Sequence, residues 1–221
     1  MLARQDASAP TPIPSPQLPE ITTPQPINAR VNPDGSANLQ VNRVNVVLKP
    51  DVHSSDIAMS NQAKTTFDIS YGAIKWTGTS GTISYFTGPG TPHVAIQTTY
   101  GPGATRSSPS GYGRGTTPAD VAAGDTSIGF HEGRHGLDLI EFLSQNPFPR
   151  FTGGKGMTIE QFKRARTAYY DAIARYRENM DRYATLQNDC VGKTIDQHNR
   201  ENGFTTSICQ QVPAAPKDKT P

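Results

Sequence analysis

Two histidines four residues apart, with a glutamate directly after the first, are the feature of this chain that most strongly indicates chemistry. They are His131, Glu132 and His135, in the stretch GFHEGRHGLDLIEF at residues 129–142. Side chains four positions apart on a helix share one face about 6 Å apart, so both imidazoles can reach a single ion. Glu132 lies about 100° further round the helix, where it can act on water held by the metal without competing for the ion. The pattern predicts the centre of a metal-dependent hydrolase.

The stretch around these residues has the signals of a helix. We predict one from about Ser127 to Leu143, ended by the NPFP sequence at 146–149. Its apolar residues flank the histidine face, so the imidazoles are expected to be partly buried.

A second, longer helix is predicted from about Thr158 to Asn188, because no glycine or proline occurs between positions 156 and 192. An apolar and aromatic stripe at helical spacing predicts the face that packs into the core. The stripe consists of Phe162, Tyr169, Ile173, Tyr176, Met180 and Tyr183.

Residues 38–100 alternate between apolar and polar side chains as strands do, and glycine-rich turns separate the alternating runs. This pattern predicts a small antiparallel meander. Residues 101–125 form a loop rich in Gly, Ser, Thr and Pro with one helical turn near ADVAAG, and a loop of this length in a compact domain is more often functional than not. The fold class predicted is α+β, with a small sheet followed by the HExxH helix and a long second helix.

The two ends of the chain differ in composition from its middle. Residues 1–30 are predicted to be a proline-rich linker, 31–209 the folded domain, and 210–221 a disordered tail. No apolar run is long enough to span a membrane, and residues 1–8 lack a signal peptide, so a cytosolic protein or a piece of a longer exported chain is expected.

The charge of the chain favours no nucleic-acid partner. The formal net charge is only +2. The basic residues of 163–177 scatter around the predicted helix and form no stripe that could follow a phosphate backbone.

Cys190 and Cys209 are nineteen positions apart, and their flanking residues are typical of loops. Either they form a disulfide, which would indicate an oxidising compartment, or they are two separate buried thiols. The loop-like flanks favour the disulfide.

The HEGRH sequence on a helix, following a sheet, resembles the zincin metallopeptidases. The resemblance implies Zn²⁺ on His131 and His135, Glu132 as general base, and a peptide substrate bound as an extra strand along the sheet edge, here at residues 93–100. The longer metzincin signature is missing, because Asp138 stands at its glycine position and Glu141 at its third histidine.

The third metal ligand is open to several interpretations. In gluzincin-like members a glutamate from a later helix supplies it, which implies Glu178, with Asp181 one turn on as its partner. Against this, Glu178 falls opposite the apolar stripe. Glu201 and His198 in IDQHNRENG are the alternatives, in a stretch that resembles the YDxxTxHG end of predicted secreted bacterial zinc proteases. Asp138 is on the His135 face, where it either orients an imidazole or is simply solvated.

The whole chain also resembles the metallopeptidase domain at the C-terminus of some valine-glycine-repeat spike proteins of bacterial type VI secretion. This resemblance implies a zinc-dependent endopeptidase, secreted on a larger carrier chain and acting as an antibacterial effector in the periplasm on a peptide or protein substrate. The alternative is a non-catalytic, zinc-stabilised interaction module, which would have no need of Glu132.

Overall fold

The computed structural model describes residues 29–210, which form an α+β arrangement. The strands are β1 (Arg30–Val31), β2 (Ala37–Val41), β3 (Val44–Leu48), β4 (Val52–His53), β5 (Ala63–Ser70), β6 (Lys75–Thr79), β7 (Thr82–Thr87) and β8 (His93–Tyr100). The helices are α1 (Pro118–Ala123), α2 (Ile128–Gln145), α3 (Ile159–Asn188) and α4 (Ile195–Glu201), with a 3-10 turn at Ile57–Met59. The helical turn predicted inside the long loop is α1.

Strand β8 is the central strand of the main sheet. It pairs antiparallel with β5 along its whole length, from Ala63 opposite Tyr100 to Ser70 opposite His93. On its other side it pairs in parallel with β3 and then with β4, and β2 and β1 continue the sheet beyond β3. Two predictions are therefore wrong. The sheet is mixed rather than an antiparallel meander, and residues 93–100 lie inside it rather than at its edge.

The chain leaves the main sheet between β5 and β8. In this interval β6 and β7 form a separate two-stranded hairpin, joined to the start of α3 by a bridge between Thr82 and Thr158. The chain then re-enters the sheet between β3 and β5 as β8. Within residues 29–210, β5 has β8 as its only strand partner, so β5 is an edge of the sheet.

Helix α3 has the predicted bounds to within one residue, and α2 continues two residues beyond its predicted end at Leu143. The Ser127 hydroxyl accepts from the backbone N–H of Phe130 at the start of α2, and α2 ends at Gln145, before Asn146, which precedes a proline and has extended backbone angles. Helix α3 begins with a capping box in which the side chains of Thr158 and Gln161 each accept from the other's backbone N–H.

Helices α2 and α3 are antiparallel. The second half of α3 packs with α2 and the main sheet in one core, and its first half packs on the β6–β7 hairpin in a second core. Tyr176 in the middle of α3 contacts Phe142 near the end of α2, with 5.1 Å between ring centroids, while Asn188 at the end of α3 donates to the His131 carbonyl near the start of α2. The predicted stripe on α3 is confirmed: five of its residues are buried and Tyr183 is partly buried. The first turn of α2 therefore faces the last turn of α3.

The predicted disulfide between Cys190 and Cys209 is confirmed, with the two Cα atoms 5.5 Å apart. The buried carboxylate of Asp196 on α4 holds the same segment, because it accepts from the backbone N–H groups of Ile208 at 2.6 Å and Cys209 at 2.9 Å. The disulfide ties the end of the described chain to the segment just after α3, and Asp196 ties it to α4.

The predicted linker at 1–30 and tail at 210–221 lie almost wholly outside the described residues. Arg30, the last residue of the predicted linker, already pairs with Asn38 in the sheet. Among the described helices, none is both long and apolar enough to cross a membrane.

Candidate metal centre and cleft

Three side chains converge at the junction of α2 and α3: His131, His135 and Asp189. One carboxylate oxygen of Asp189, Oδ1, lies 3.2 Å from His131 Nε2 and 3.0 Å from His135 Nε2. One ligand atom from each residue falls within 4.8 Å of the others. Two imidazole nitrogens and a carboxylate oxygen are a donor set that zinc takes in catalytic sites, where three protein ligands leave a fourth position free.

The helical spacing brings the two histidines together as expected. Their ring centroids are 5.0 Å apart and the rings are nearly perpendicular. His131 is buried, with 4% of its surface exposed, and His135 is partly buried.

His131 is oriented by the loop that precedes α1. Its Nδ1 lies 3.0 Å from the backbone carbonyl of Arg114. Because a carbonyl only accepts, Nδ1 must carry a proton in this bond, which leaves Nε2 as the nitrogen that can bind an ion or donate to Asp189. Such a hydrogen bond on the far side of a ligand imidazole is typical of metal-binding histidines.

Asn188 connects this loop to both long helices. Its side-chain amide donates to the His131 carbonyl at 2.8 Å, and its own carbonyl accepts from the Arg114 N–H at 2.9 Å. Gly113 passes so close to these groups that an added Cβ would lie 2.9 Å from His131 Cε1 and would collide with the Asn188 carbonyl. The backbone φ of Gly113 is +63°, which also favours glycine.

The electrostatics of the cluster keep Asp189 ionised. Burial alone would raise the pKa of its carboxyl, but the hydrogen bonds from His131 and His135 outweigh burial and lower the pKa. For His131, burial disfavours the charged ring, yet the hydrogen bond to Asp189 and the nearby charges of Glu132 and Asp189 raise its pKa. A cation is therefore favoured at the point where these three residues meet.

Glu132 is buried beside the cluster, with 5% of its surface exposed. Its Oε2 has no hydrogen-bond partner among the described residues. A buried carboxylate oxygen without a partner is costly and uncommon, and it is expected where a group acts on a ligand. Its main chain is fixed by Thr65 of β5, whose hydroxyl lies 3.2 Å from the Glu132 carbonyl.

A cleft of about 280 Å³ opens onto His131 and Glu132. Its walls come from the start of β5, the loop at 109–112, the first turns of α2 and helix α4. Apart from Glu132 and the histidines, the lining side chains are neutral. The lining residues are Asn61, Gln62, Ala63, Pro109, Ser110, Gly111, Tyr112, Ile128, His131, Glu132, Ile195, His198 and Asn199.

Tyr112 lies between two histidine rings in the wall of this cleft. Its ring centroid is 5.1 Å from that of His131 and 5.2 Å from that of His198. Burial, followed by the negative charges of Asp189 and Glu132, raises the pKa of the Tyr112 phenol, which therefore stays protonated. His198 Nδ1 is buried and has no hydrogen-bond partner within residues 29–210.

The other predicted ligands lie elsewhere. Glu178 is exposed on α3 and outside the cluster, as is Asp181. Glu201 pairs with Lys193 at 2.6 Å. Of the alternatives, only His198 reaches the cleft. Asp138 is buried and lies 3.5 Å from Arg134 Nη2, so it is not solvated.

Asp189 was not among the candidate ligands predicted from the sequence. It follows α3 directly and precedes Cys190, which takes part in the disulfide. Glu178 is eleven residues earlier, about 16 Å along the helix axis. Because α3 is antiparallel to α2, the middle of α3 packs against the end of α2, and the last turn of α3 is the part that reaches the first turns of α2, where the histidines lie. No local pattern in the sequence distinguishes Asp189 from Glu178.

Comparisons of the chain with protein-family models, curated proteins and solved structures found no match. The interpretation of the site therefore rests on its own geometry.

Proposed function

We propose that this chain is a zinc-dependent endopeptidase on a zincin-like scaffold. His131, His135 and Asp189 hold the ion, and Glu132 is the general base. The observation that carries the proposal is the meeting of two imidazole nitrogens and a carboxylate oxygen beside the unpartnered, buried Oε2 of Glu132.

The donor set favours zinc over harder cations. Calcium and magnesium prefer sites made of oxygen ligands, whereas two neutral imidazoles with one carboxylate suit zinc. When bound, zinc supplies the Lewis acidity that activates water and polarises a carbonyl.

Glu132 performs the proton transfers of peptide hydrolysis. Its carboxylate takes a proton from the water whose oxygen attacks the scissile carbonyl carbon. As the C–N bond breaks, the protonated Glu132 returns this proton to the leaving nitrogen, which departs as an amine. The unpartnered Oε2 has its lone pairs available for this role.

We assign to Tyr112 the stabilisation of the charge that develops on the carbonyl oxygen. It lines the same cleft, and burial keeps its hydroxyl protonated as a donor.

The substrate we propose is an extended peptide along the outer side of β5. The start of β5 lines the cleft, and among the described strands β5 pairs only with β8. An exposed strand edge offers backbone groups that recognise an extended chain with little regard to its sequence.

The proposed place of action is the periplasm of a bacterium, to which a larger carrier chain delivers the domain as an antibacterial effector. The disulfide supports this part of the proposal, because disulfides persist in oxidising compartments and are rare in the cytosol.

Glu132→Gln tests the catalytic role against the alternative of a zinc-stabilised interaction module. Zinc content of the purified protein is measured by mass spectrometry, and hydrolysis is measured on a library of quenched fluorescent peptides. Wild type is expected to bind one zinc and cleave peptides, and Glu132→Gln to keep the zinc but lose at least a hundredfold in rate. An active Glu132→Gln variant would refute the catalytic assignment, and a wild-type protein that binds zinc without cleaving would favour the interaction module.

A further inference from the structure

The loop that holds His131 is itself fixed by a buried carboxylate in α1. Asp120 is 3% exposed, although aspartate is rarely buried without partners. Its two oxygens accept from Arg114 Nη2 at 2.6 Å and from Arg114 Nε at 3.0 Å. The second oxygen also accepts from the backbone N–H of Gly115 at 2.9 Å.

These three bonds fix both the side chain and the backbone of one short segment. A planar guanidinium bound through two nitrogens to a carboxylate has one strongly preferred orientation. The guanidinium also packs on the ring of Phe130, 5.6 Å from its centroid, next to His131 on α2. The backbone N–H of residue 115 belongs to the same peptide unit as the carbonyl of residue 114, so the bond to Gly115 sets the direction of the Arg114 carbonyl.

The Arg114 carbonyl is the group that accepts from His131 Nδ1. We propose that Asp120 is a positioning residue for the metal centre, which fixes this carbonyl and thereby holds His131 with its proton on Nδ1 and its Nε2 free for the ion. The inference rests on the proposed metal centre. Asp120 touches neither the ion nor the substrate and acts only through Arg114 and Gly115.

Asp120→Asn is the direct test, because it keeps the shape of the side chain but removes the charge and one acceptor. A change in a group that orients a ligand imidazole lowers metal affinity by about 10- to 100-fold. We expect a loss of this size in zinc affinity, measured by competition with a fluorescent chelator. The matched control is Glu160→Gln, since Glu160 is also in the first turn of a helix and pairs with a cation, Lys163 at 3.0 Å, but is exposed.

A second readout needs neither zinc nor activity. Nitrogen-15-edited proton NMR of the metal-free protein follows the ring N–H on His131 Nδ1, which donates to the Arg114 carbonyl. This proton is expected to be protected from exchange with water in wild type and in Glu160→Gln, and to exchange rapidly in Asp120→Asn. A loss of global stability alone would not expose this one proton selectively in the folded protein, so this signature separates positioning from a structural role.

Arg114→Lys keeps the test decisive if Asp120→Asn does not fold. Lysine retains the charge but cannot form the two-nitrogen bond, so a smaller loss of zinc affinity in the same direction is expected. The proposal is overturned if the folded variants bind zinc within twofold of Glu160→Gln and keep the wild-type protection of the His131 Nδ1 proton. If wild type binds no zinc but Asp120→Asn still exposes this proton to exchange, the proposed function fails while the positioning of His131 by Asp120 stands.

Discussion

Replacing Asp138 by asparagine should change how the stability of the protein depends on pH. Asp138 is 2% exposed, and burial raises the pKa of its carboxyl from 3.8 to about 6, a rise that the charges of Arg134 and His135 only partly offset. The folded state therefore binds this proton more tightly than the unfolded chain does. The stability that tighter proton binding by Asp138 contributes is fully present below pH 3.8 and is lost as the pH rises through about 6.

The magnitude follows from the size of the shift. A rise of about two pKa units corresponds to about 3 kcal/mol, at about 1.4 kcal/mol for each unit. The wild-type free energy of unfolding should thus fall by about 3 kcal/mol relative to Asp138→Asn between about pH 3.5 and pH 7.5. Burying the asparagine amide also changes stability, but by the same amount at every pH. It therefore cancels when the difference in free energy of unfolding between wild type and Asp138→Asn is compared at the two pH values.

Urea unfolding of the zinc-free protein across this pH range measures the effect. The matched control is Asp171→Asn, which removes an exposed carboxylate from α3 and should leave the pH dependence parallel to that of wild type. Parallel curves for wild type and Asp138→Asn would refute the reasoning. So would a difference that grows in the opposite direction.

Three further predictions concern the metal centre and its support. Asp189→Ala should lower zinc affinity at least tenfold in a chelator competition, whereas Glu178→Ala should leave it unchanged; equal losses would mean that Asp189 is not a ligand. Changing both cysteines to serine should lower the free energy of unfolding by about 3 kcal/mol, measured with urea, because the disulfide closes a long loop in the unfolded chain; an unchanged value would contradict this account. Gly113→Ala should lower the melting temperature and the zinc affinity, because the added methyl group would contact His131. The control is Gly154→Ala, which should change neither, because a Cβ added there has nothing within 4 Å. Similar behaviour of the two variants would argue against a close approach of Gly113 to His131.

Local patterns in the sequence predicted the parts of the structure that depend on local physics. The spacing of His131 and His135 places them on one helical face whatever lies around them. The bounds of α3 follow from its capping residue, Thr158, and from the absence of helix breakers as far as Asn188. The same holds for the stripe that packs into the core.

The parts that could not be predicted depend on contacts between distant segments. Both Glu178 and Asp189 fit the local sequence pattern. Which of them lies near the histidines is decided by the position of α3 along the axis of α2 in the folded protein. Strand β8 looks like an edge strand in the sequence, because nothing local reveals that the chain returns between β3 and β5. The burial of Asp120 under the site is likewise a property of the folded loop.

The measurement that tests the metal centre most directly is anomalous diffraction at the zinc absorption edge from crystals of the zinc-loaded protein. We predict one strong peak within about 2.0–2.2 Å of His131 Nε2, His135 Nε2 and a carboxylate oxygen of Asp189, with Glu132 beside the ion but not bound to it. No peak at this cluster, or a peak bound by Glu178 instead of Asp189, would contradict it.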